Sequence, residues 1–221
     1  MRKLKVMETG DGSFTLSLEG LNEQYHSKHG ALQEAIHVFI EAGLQEFSER
    51  KEGVRILEVG FGTGLNTWLS FRHAASHKLP IHYIGLEPFP LDWSLVEALS
   101  YTEVPGEVEL LQQLHACSWN EWHEITPLCS LKKVEKKLED WEGEGVVDLV
   151  YYDAFGPRAQ GEMWEKEVLQ KTAAMLAPGG VFVTYCAKGS LKRDLRDAGL
   201  EVESLPGPPG KREMVRARKP A

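Results

Sequence analysis

The chain has 221 residues, 42% hydrophobic and 26% charged, the make-up of one globular domain of ordinary size. A formal net charge of −8 argues against nonspecific coating of nucleic acid, and no apolar run approaches the ~18 residues of a membrane span. The three cysteines, Cys117, Cys129 and Cys186, are widely spaced and outside CxxC pairs, which predicts no disulfide framework, no zinc site and a cytoplasmic location.

The start, Met1-Arg2-Lys3-Leu4-Lys5-Val6, is basic but has no apolar core of a secretory signal. Residues 5–9 and 13–18 flank a Gly10-Asp11-Gly12 turn and predict a β-hairpin. A polar, irregular stretch over 22–30 leads to an amphipathic helix over 31–49, with Leu32, Ala35, Ile36, Phe39, Ile40, Leu44 and Phe47 at helical spacing. We expect residues 1–50 to form an extension packed on a main domain of residues 51–221. From Val54, buried strands over 54–60, 81–87, 146–152 and 179–186 alternate with helices, and 107–111 is a fainter strand. Residues 131–144 alternate lysine and glutamate and read as a solvated helix face. Segments 200–205 and 212–218 surround Pro206-Gly207-Pro208-Pro209-Gly210 and predict a closing antiparallel hairpin. This order predicts an α/β fold with a mostly parallel sheet and helices on both faces.

The run Ile56-Leu57-Glu58-Val59-Gly60-Phe61-Gly62-Thr63-Gly64 passes from a buried strand into a glycine turn. Glycine lets the backbone approach a ligand closely. The E-x-G-x-G-x-G spacing differs from the dinucleotide pattern G-x-G-x-x-G. It resembles the first motif of the class I S-adenosylmethionine (SAM) methyltransferases. Glu58 suits the cationic amine of SAM and would repel a pyrophosphate. Gly60, Phe61, Gly62, Gly64 and the following Asn66 complete the loop. The second strand ends at Glu87, where an acidic residue of a nucleotide-binding βαβ unit meets ribose hydroxyls, and Pro88 stops it.

The fourth strand runs into Asp153-Ala154-Phe155-Gly156-Pro157, which places these residues at the carboxyl edge of the sheet. Asp153 can hold an amine nucleophile and bias it toward its neutral form. Phe155 offers a flat face to a base, and Pro157 restricts the loop.

With Glu162-Met163-Trp164 downstream, this block resembles the D-G-F-x-P…M-W signature of the MnmC methyltransferase domain. Gly30-Ala31-Leu32-Gln33-Glu34, Gly60-Phe61-Gly62-Thr63-Gly64-Leu65-Asn66, Glu87-Pro88-Phe89-Pro90-Leu91 and Gly210-Lys211-Arg212-Glu213-Met214 are similar to further family blocks in the same order. The resemblance covers roughly residues 25 to 216. It implies a Rossmann-like, mostly parallel seven-stranded sheet with an antiparallel C-terminal hairpin and a small N-terminal hairpin and helix extension. It also implies SAM as cofactor and methylation of the 5-aminomethyl group of (2-thio)uridine at the tRNA wobble position. Asp153 would receive the amine proton. Phe155, Pro157, Glu34, Lys211 and Arg212 would meet the tRNA anticodon region, and Tyr25 and His26 would cover the substrate.

Bifunctional members carry a flavin-dependent oxidase after this domain. This chain resembles the stand-alone form, so neither FAD nor a metal is expected, and a separate FAD-dependent oxidase is an expected partner. The family's acidic residue near the adenine falls at Ser130 or Cys129. Two rival readings stay open: an aminopropyltransferase of the spermidine-synthase type or another small-amine methyltransferase, and a non-catalytic SAM-fold protein that binds RNA. The first lacks its second carboxylate, since none follows Asp153 before Glu162. A basic C-terminal segment from Lys188 to Lys219 is compatible with RNA docking at one face.

Overall fold

The computed structural model describes residues 4–18 and 23–221. Residues 1–3 of the basic start, 19–21 and Asn22 at the head of the polar stretch lie outside the described residues. Strands β1 (Leu4–Glu8), β2 (Phe14–Leu18) and β3 (Glu23–Gln24) form a small antiparallel sheet. The turn between β1 and β2 is held by Asp11, whose carboxylate accepts from Thr9 Oγ1 and from the Ser13 amide.

The helix expected over 31–49 is broken into three pieces. Helix α1 (Ala31–Ala35) widens into a π-helical turn over Ile36–Glu41, and a 3-10 turn follows at Leu44–Phe47. The break falls at Gly43. A Cβ there would sit 2.6 Å from the Phe39 carbonyl oxygen and 3.1 Å from the Val183 side chain, so the chain lies directly against the sheet.

The main sheet comprises β4 (Val54–Val59), β5 (Ile81–Leu86), β6 (Trp122–Thr126), β7 (Cys129–Val134), β8 (Val147–Tyr152), β9 (Leu176–Thr184), β10 (Glu201–Pro206) and β11 (Glu213–Arg218). Their spatial order is β10-β11-β9-β8-β4-β5-β7-β6. The β4–β5, β4–β8, β5–β7 and β8–β9 pairs are parallel, and the closing β10–β11 hairpin is antiparallel, as expected. Among the described residues the sheet has eight strands rather than seven, because β6 folds back antiparallel on β7 at the edge.

Helices α2 (Leu65–His77), α3 (Trp93–Glu97), α4 (Glu107–Ala116), α5 (Lys166–Met175) and α6 (Gly189–Asp197) fill the connections. One buried cluster joins Phe39, Leu44, Trp68, Phe71, Tyr83 and Tyr151. The other joins Leu57, Val150, Tyr152, Leu169, Phe182 and Leu195. Strands β4 and β8 contribute to both, the alternation of a sheet covered on two faces.

Two expectations are corrected here. Residues 107–111 form the start of α4, not a strand; Leu111 and Leu114 are buried on one side of the helix. Residues 131–144 hold the greater part of β7 and a turn-rich loop, not a helix. Strand β7 alternates buried and half-buried positions along its first four residues.

The C-terminal basic segment is partly neutralised within the fold, four of its basic residues being paired. Lys192 pairs with Glu213 at 2.7 Å, Arg216 with Glu203 at 2.8 Å and Glu46 at 2.9 Å, and Arg218 with Glu46 at 2.6 Å. Lys211 pairs with Glu34. The pairs with Glu34 and Glu46 tie the last hairpin to the N-terminal helical segment.

Candidate active site

Strands β4 and β8 are neighbours at the centre of the sheet, with β5 and β7 beyond one and β9 beyond the other. The chain therefore leaves the sheet in opposite directions from their carboxyl ends, and ligands of open α/β folds bind in the crevice so formed. The register pairs Val59 with Tyr152, so the glycine turn after β4 and Asp153 after β8 emerge side by side. The Asp153 amide donates to the Val59 carbonyl at 3.0 Å.

A cleft opens at this point. Gly60, Phe61, Gly62, Asn66, Glu87, Pro88, Asp153 and Phe155 all line it, as do Tyr25 and His26. Gly60 has φ +96°, and a Cβ there would stand 2.7 Å from the Asp153 carbonyl oxygen. Only glycine allows the two loops to touch in this way. Glu87 is buried in the wall: Oε2 accepts from the Gly62 amide at 3.0 Å and Oε1 from the Phe89 amide at 2.9 Å. Its carboxylate thus fixes the glycine turn while facing the cleft.

Other expected residues stand elsewhere. Gly64 caps α2 with φ +72° and is outside the cleft lining. Glu58 is fully buried behind the cleft, where Oε1 accepts from Asn66 Nδ2 at 2.9 Å and Oε2 from Thr67 Oγ1 at 3.2 Å. Pro157 lies in the loop beyond Phe155 and does not line the cleft. Arg212 is exposed at a neighbouring depression shared with Tyr185 and Lys211. Glu34 is buried, accepts from the Ser27 amide at 3.0 Å and pairs with Lys211. Lys211 Nζ lies 3.8 Å from the centre of the Tyr185 ring.

Cys129 and Ser130 are at the wrong end of their strand for an adenine contact. They open β7 beside Ile81 and His82, and Ser130 Oγ lies 2.7 Å from His82 Nδ1. The carboxyl end of β7 instead delivers Lys136, Lys137, Leu138 and Glu139 to the cleft. Sequence reasoning missed this segment, because reading 131–144 as helix hid the strand end. It also missed Gln160, whose side-chain oxygen accepts from the Phe155 amide at 3.2 Å and shapes the acceptor loop.

The electrostatics single out Asp153. Burial, then the nearby Glu34 charge, push its carboxyl up to about 7, against the hydrogen bond from Asn66 and the charge of Lys211. Burial first, then the Asp153 charge, hold Glu58 well above the ordinary carboxyl range. His26 is lowered to about 4 by burial and then by Lys211, so it is neutral at pH 7. A half-buried carboxylate that titrates near neutrality is suited to exchanging a proton with a bound amine.

The aromatic side of the cleft is built from two elements. The Tyr25 and Phe155 rings meet edge to face at 5.0 Å. Tyr185 Oη donates to the Ala154 carbonyl at 2.8 Å, and Trp164 Nε1 to the Phe155 carbonyl at 2.8 Å. These bonds fix the backbone on both sides of Phe155.

Comparison with known proteins gives the family of this fold. The model of an S-adenosyl-L-methionine-dependent methyltransferase family matches residues 105–220. The bifunctional protein MnmC of tRNA 5-methylaminomethyl-2-thiouridine biosynthesis from Pseudoalteromonas atlantica is 31% identical over 88% of this chain and 30% of its own length. The protein of the same description from Burkholderia mallei is 29% identical over 93% of this chain and 34% of its own length. The chain thus spans about a third of the curated relatives it matches. Among solved structures, MNMC2 from Aquifex aeolicus superposes with a TM-score of 0.82 at 25% identity, covering 100% of this chain and 73% of that one. Spermidine synthase from Thermotoga maritima shares the fold, with a TM-score of 0.59 at 13% identity over 99% of this chain and 69% of that one. The chain is an MnmC-like class I domain and belongs to the S-adenosyl-L-methionine-dependent methyltransferase family.

Proposed function

We propose that the chain methylates the primary amine of 5-aminomethyl(-2-thio)uridine at the tRNA wobble position, giving the 5-methylaminomethyl product. The observation that carries this reading is Asp153, a carboxylate at the carboxyl edge of β8 that titrates near neutrality beside an aromatic wall. The names of the curated relatives point to the same product.

The cleft fits the cofactor. Its glycine turn leaves no room for a side chain between the two loops, the Glu87 carboxylate is the hydroxyl-binding type, and the buried Asn66 Oδ1 has no partner among the described residues. Gly60 and Gly62 would hold the methionine part, Glu87 the ribose, and the segment from Lys136 to Glu139 the adenine, with Asn66 beside the place where methionine part and acceptor meet. When bound, SAM supplies a methyl group already activated by its sulfonium.

The chain's own residues then have two tasks, alignment and proton removal. A primary alkylamine arrives as an ammonium with no lone pair. Asp153 would bind it and accept one N–H proton, leaving the nitrogen lone pair free to form the new N–C bond as the methyl–sulfur bond breaks and S-adenosylhomocysteine departs. Phe155 and Tyr25 would flank the uracil ring. In this reading residues 1–50 act as an extension over the acceptor end, and the tRNA anticodon region and a separate FAD-dependent oxidase are the partners.

The direct test is methylation of tRNA that lacks the final wobble modification, read by nucleoside mass spectrometry. Gain of one methyl on the 5-aminomethyl nucleoside is expected. An unchanged nucleoside with active cofactor turnover on another acceptor would overturn the reading.

A further inference from the structure

Asn66 lies in the first turn of α2, is 2% exposed and lines the cleft. Its Nδ2 donates to Glu58 Oε1 at 2.9 Å and to Asp153 Oδ2 at 2.9 Å. Both amide hydrogens are therefore committed to two carboxyl groups. Its Oδ1 is buried without a hydrogen-bond partner among the described residues. A buried acceptor left unmet is costly, and native structures rarely keep one without a function.

We propose that Asn66 is the positioning residue of this site: its nitrogen holds Asp153 in place against Glu58, and its oxygen receives an N–H of the primary ammonium that docks beside Asp153. The proposal rests on the amine-methylation reading and deepens it. The amide is suited to both tasks because it is a donor and an acceptor on one rigid plane. A charged residue here would fail. A carboxylate would crowd a third carboxyl group against the pair with no donor between them, and a lysine would offer no acceptor.

The surroundings leave Asn66 in control of Asp153. Glu58 faces it from β4, Tyr101 from the segment between α3 and α4, and Tyr185 from the end of β9. Glu34 from α1 disfavours the charged form and Lys211 before β11 favours it, but these two are paired with each other. The Asn66 hydrogen bond is the direct contact that stabilises the ionised form.

Two ligands offer a primary ammonium: the cofactor's methionine end and the acceptor nucleoside. They are told apart with S-adenosylhomocysteine, which has the amine, and 5′-methylthioadenosine, which lacks it. Asn66→Ala is the test variant, with Asn66→Ser carrying the same measurements if the alanine form does not fold. The first readout is the 13C titration of the Asp153 carboxyl in the ligand-free protein, which should move upward by about one pH unit on loss of a hydrogen bond to a charged group. The second is calorimetry. A tenfold weaker S-adenosylhomocysteine with unchanged 5′-methylthioadenosine assigns Oδ1 to the cofactor amine. An unchanged S-adenosylhomocysteine with a raised KM for the acceptor assigns it to the substrate amine. An unmoved Asp153 titration overturns the proposal, as does a moved one with both amine readouts unaffected. The amine-methylation reading fails separately, if Asp153→Asn retains full activity on the tRNA.

Discussion

Asp153 is stable in its protonated form and active in its ionised one. Its folded-state value of about 7 lies above the ordinary 3.8, so the fold binds this proton more tightly than the unfolded chain does. The stabilisation is complete below the unfolded value and is lost as pH rises through about 7. Asp153→Asn should accordingly raise the melting temperature, by more at pH 8 than at pH 5, while lowering methyl transfer by 10²-fold or more. Thermal melts at the two pH values check the first half, and single-turnover methylation the second. In the unmodified protein kcat/KM should fall as pH drops through about 7, as the base takes up its proton. Gly60 makes a different demand. A Cβ there strikes the Asp153 carbonyl and must also adopt φ +96°. Gly60→Ala should therefore abolish calorimetric binding of S-adenosylhomocysteine; tight binding by this variant would contradict the placement of the cofactor against the turn.

At the scale of elements, Asp148 shows how the site is held from behind. It lies near the start of β8, nearly buried, and accepts from the Arg55 amide at 2.8 Å and from Arg55 Nε at 3.1 Å, with Arg50 Nη1 at 3.0 Å. Burial opposes its charge, but the hydrogen bonds of Arg55 and Arg50 prevail and its carboxyl titrates below 3.8. The sign is opposite to that of Asp153: this stability is present above the unfolded value and lost as pH falls through the folded one. Asp148→Ala should cost about 2 kcal/mol at pH 7, because it leaves the Arg55 strand amide without its acceptor and removes a charge partner from two half-exposed arginines, and the loss should shrink below pH 4. Urea unfolding at pH 7 and pH 3 measures both.

Elements with a local signature were legible in the sequence. The buried apolar runs of β4 and β5 and the glycine turn between β4 and α2 follow from patterns a few residues long. Strand β7 was not, because Lys133 stands in it and reads as solvated. In the fold Lys133 is 1% exposed: its Nζ donates to the His115 carbonyl at 2.8 Å and lies 4.9 Å from the Trp119 ring. Helix α4 was hidden because Glu107-Val108-Glu109 alternates like a strand, although the Glu109 carboxylate caps the Gly106 amide. The site divided in the same way. Glu87 and Asp153 are strand-end residues, visible by position. The Asn66–Asp153 bond joins residues brought together only by β4–β8 pairing, which no local pattern records.

Over the whole molecule, an acidic chain must leave a cationic path to its cleft if the acceptor is a tRNA. The count of basic residues in the C-terminal segment overstates that path, since Lys192, Lys211, Arg216 and Arg218 are engaged with Glu213, Glu34, Glu203 and Glu46. Lys188, Arg193, Arg196 and Arg212 are exposed and stand outside those pairs. Lys136 and Lys137 line the cleft and are exposed, and Arg158 is exposed in the loop after Asp153. The two groups have different expected consequences. Replacing Lys188 and Arg212 together by alanine should weaken tRNA binding and reduce the slope of log K against log salt by about two, with S-adenosylhomocysteine affinity unchanged. The paired Arg216 should behave otherwise. Arg216→Ala should lower stability through the loss of Glu203 and Glu46 and leave the salt slope in place. Filter binding across a salt series, with melts of the same variants, separates the roles. An equal loss of slope from both changes would place the tRNA on the strands of the closing hairpin rather than across the mouth of the cleft.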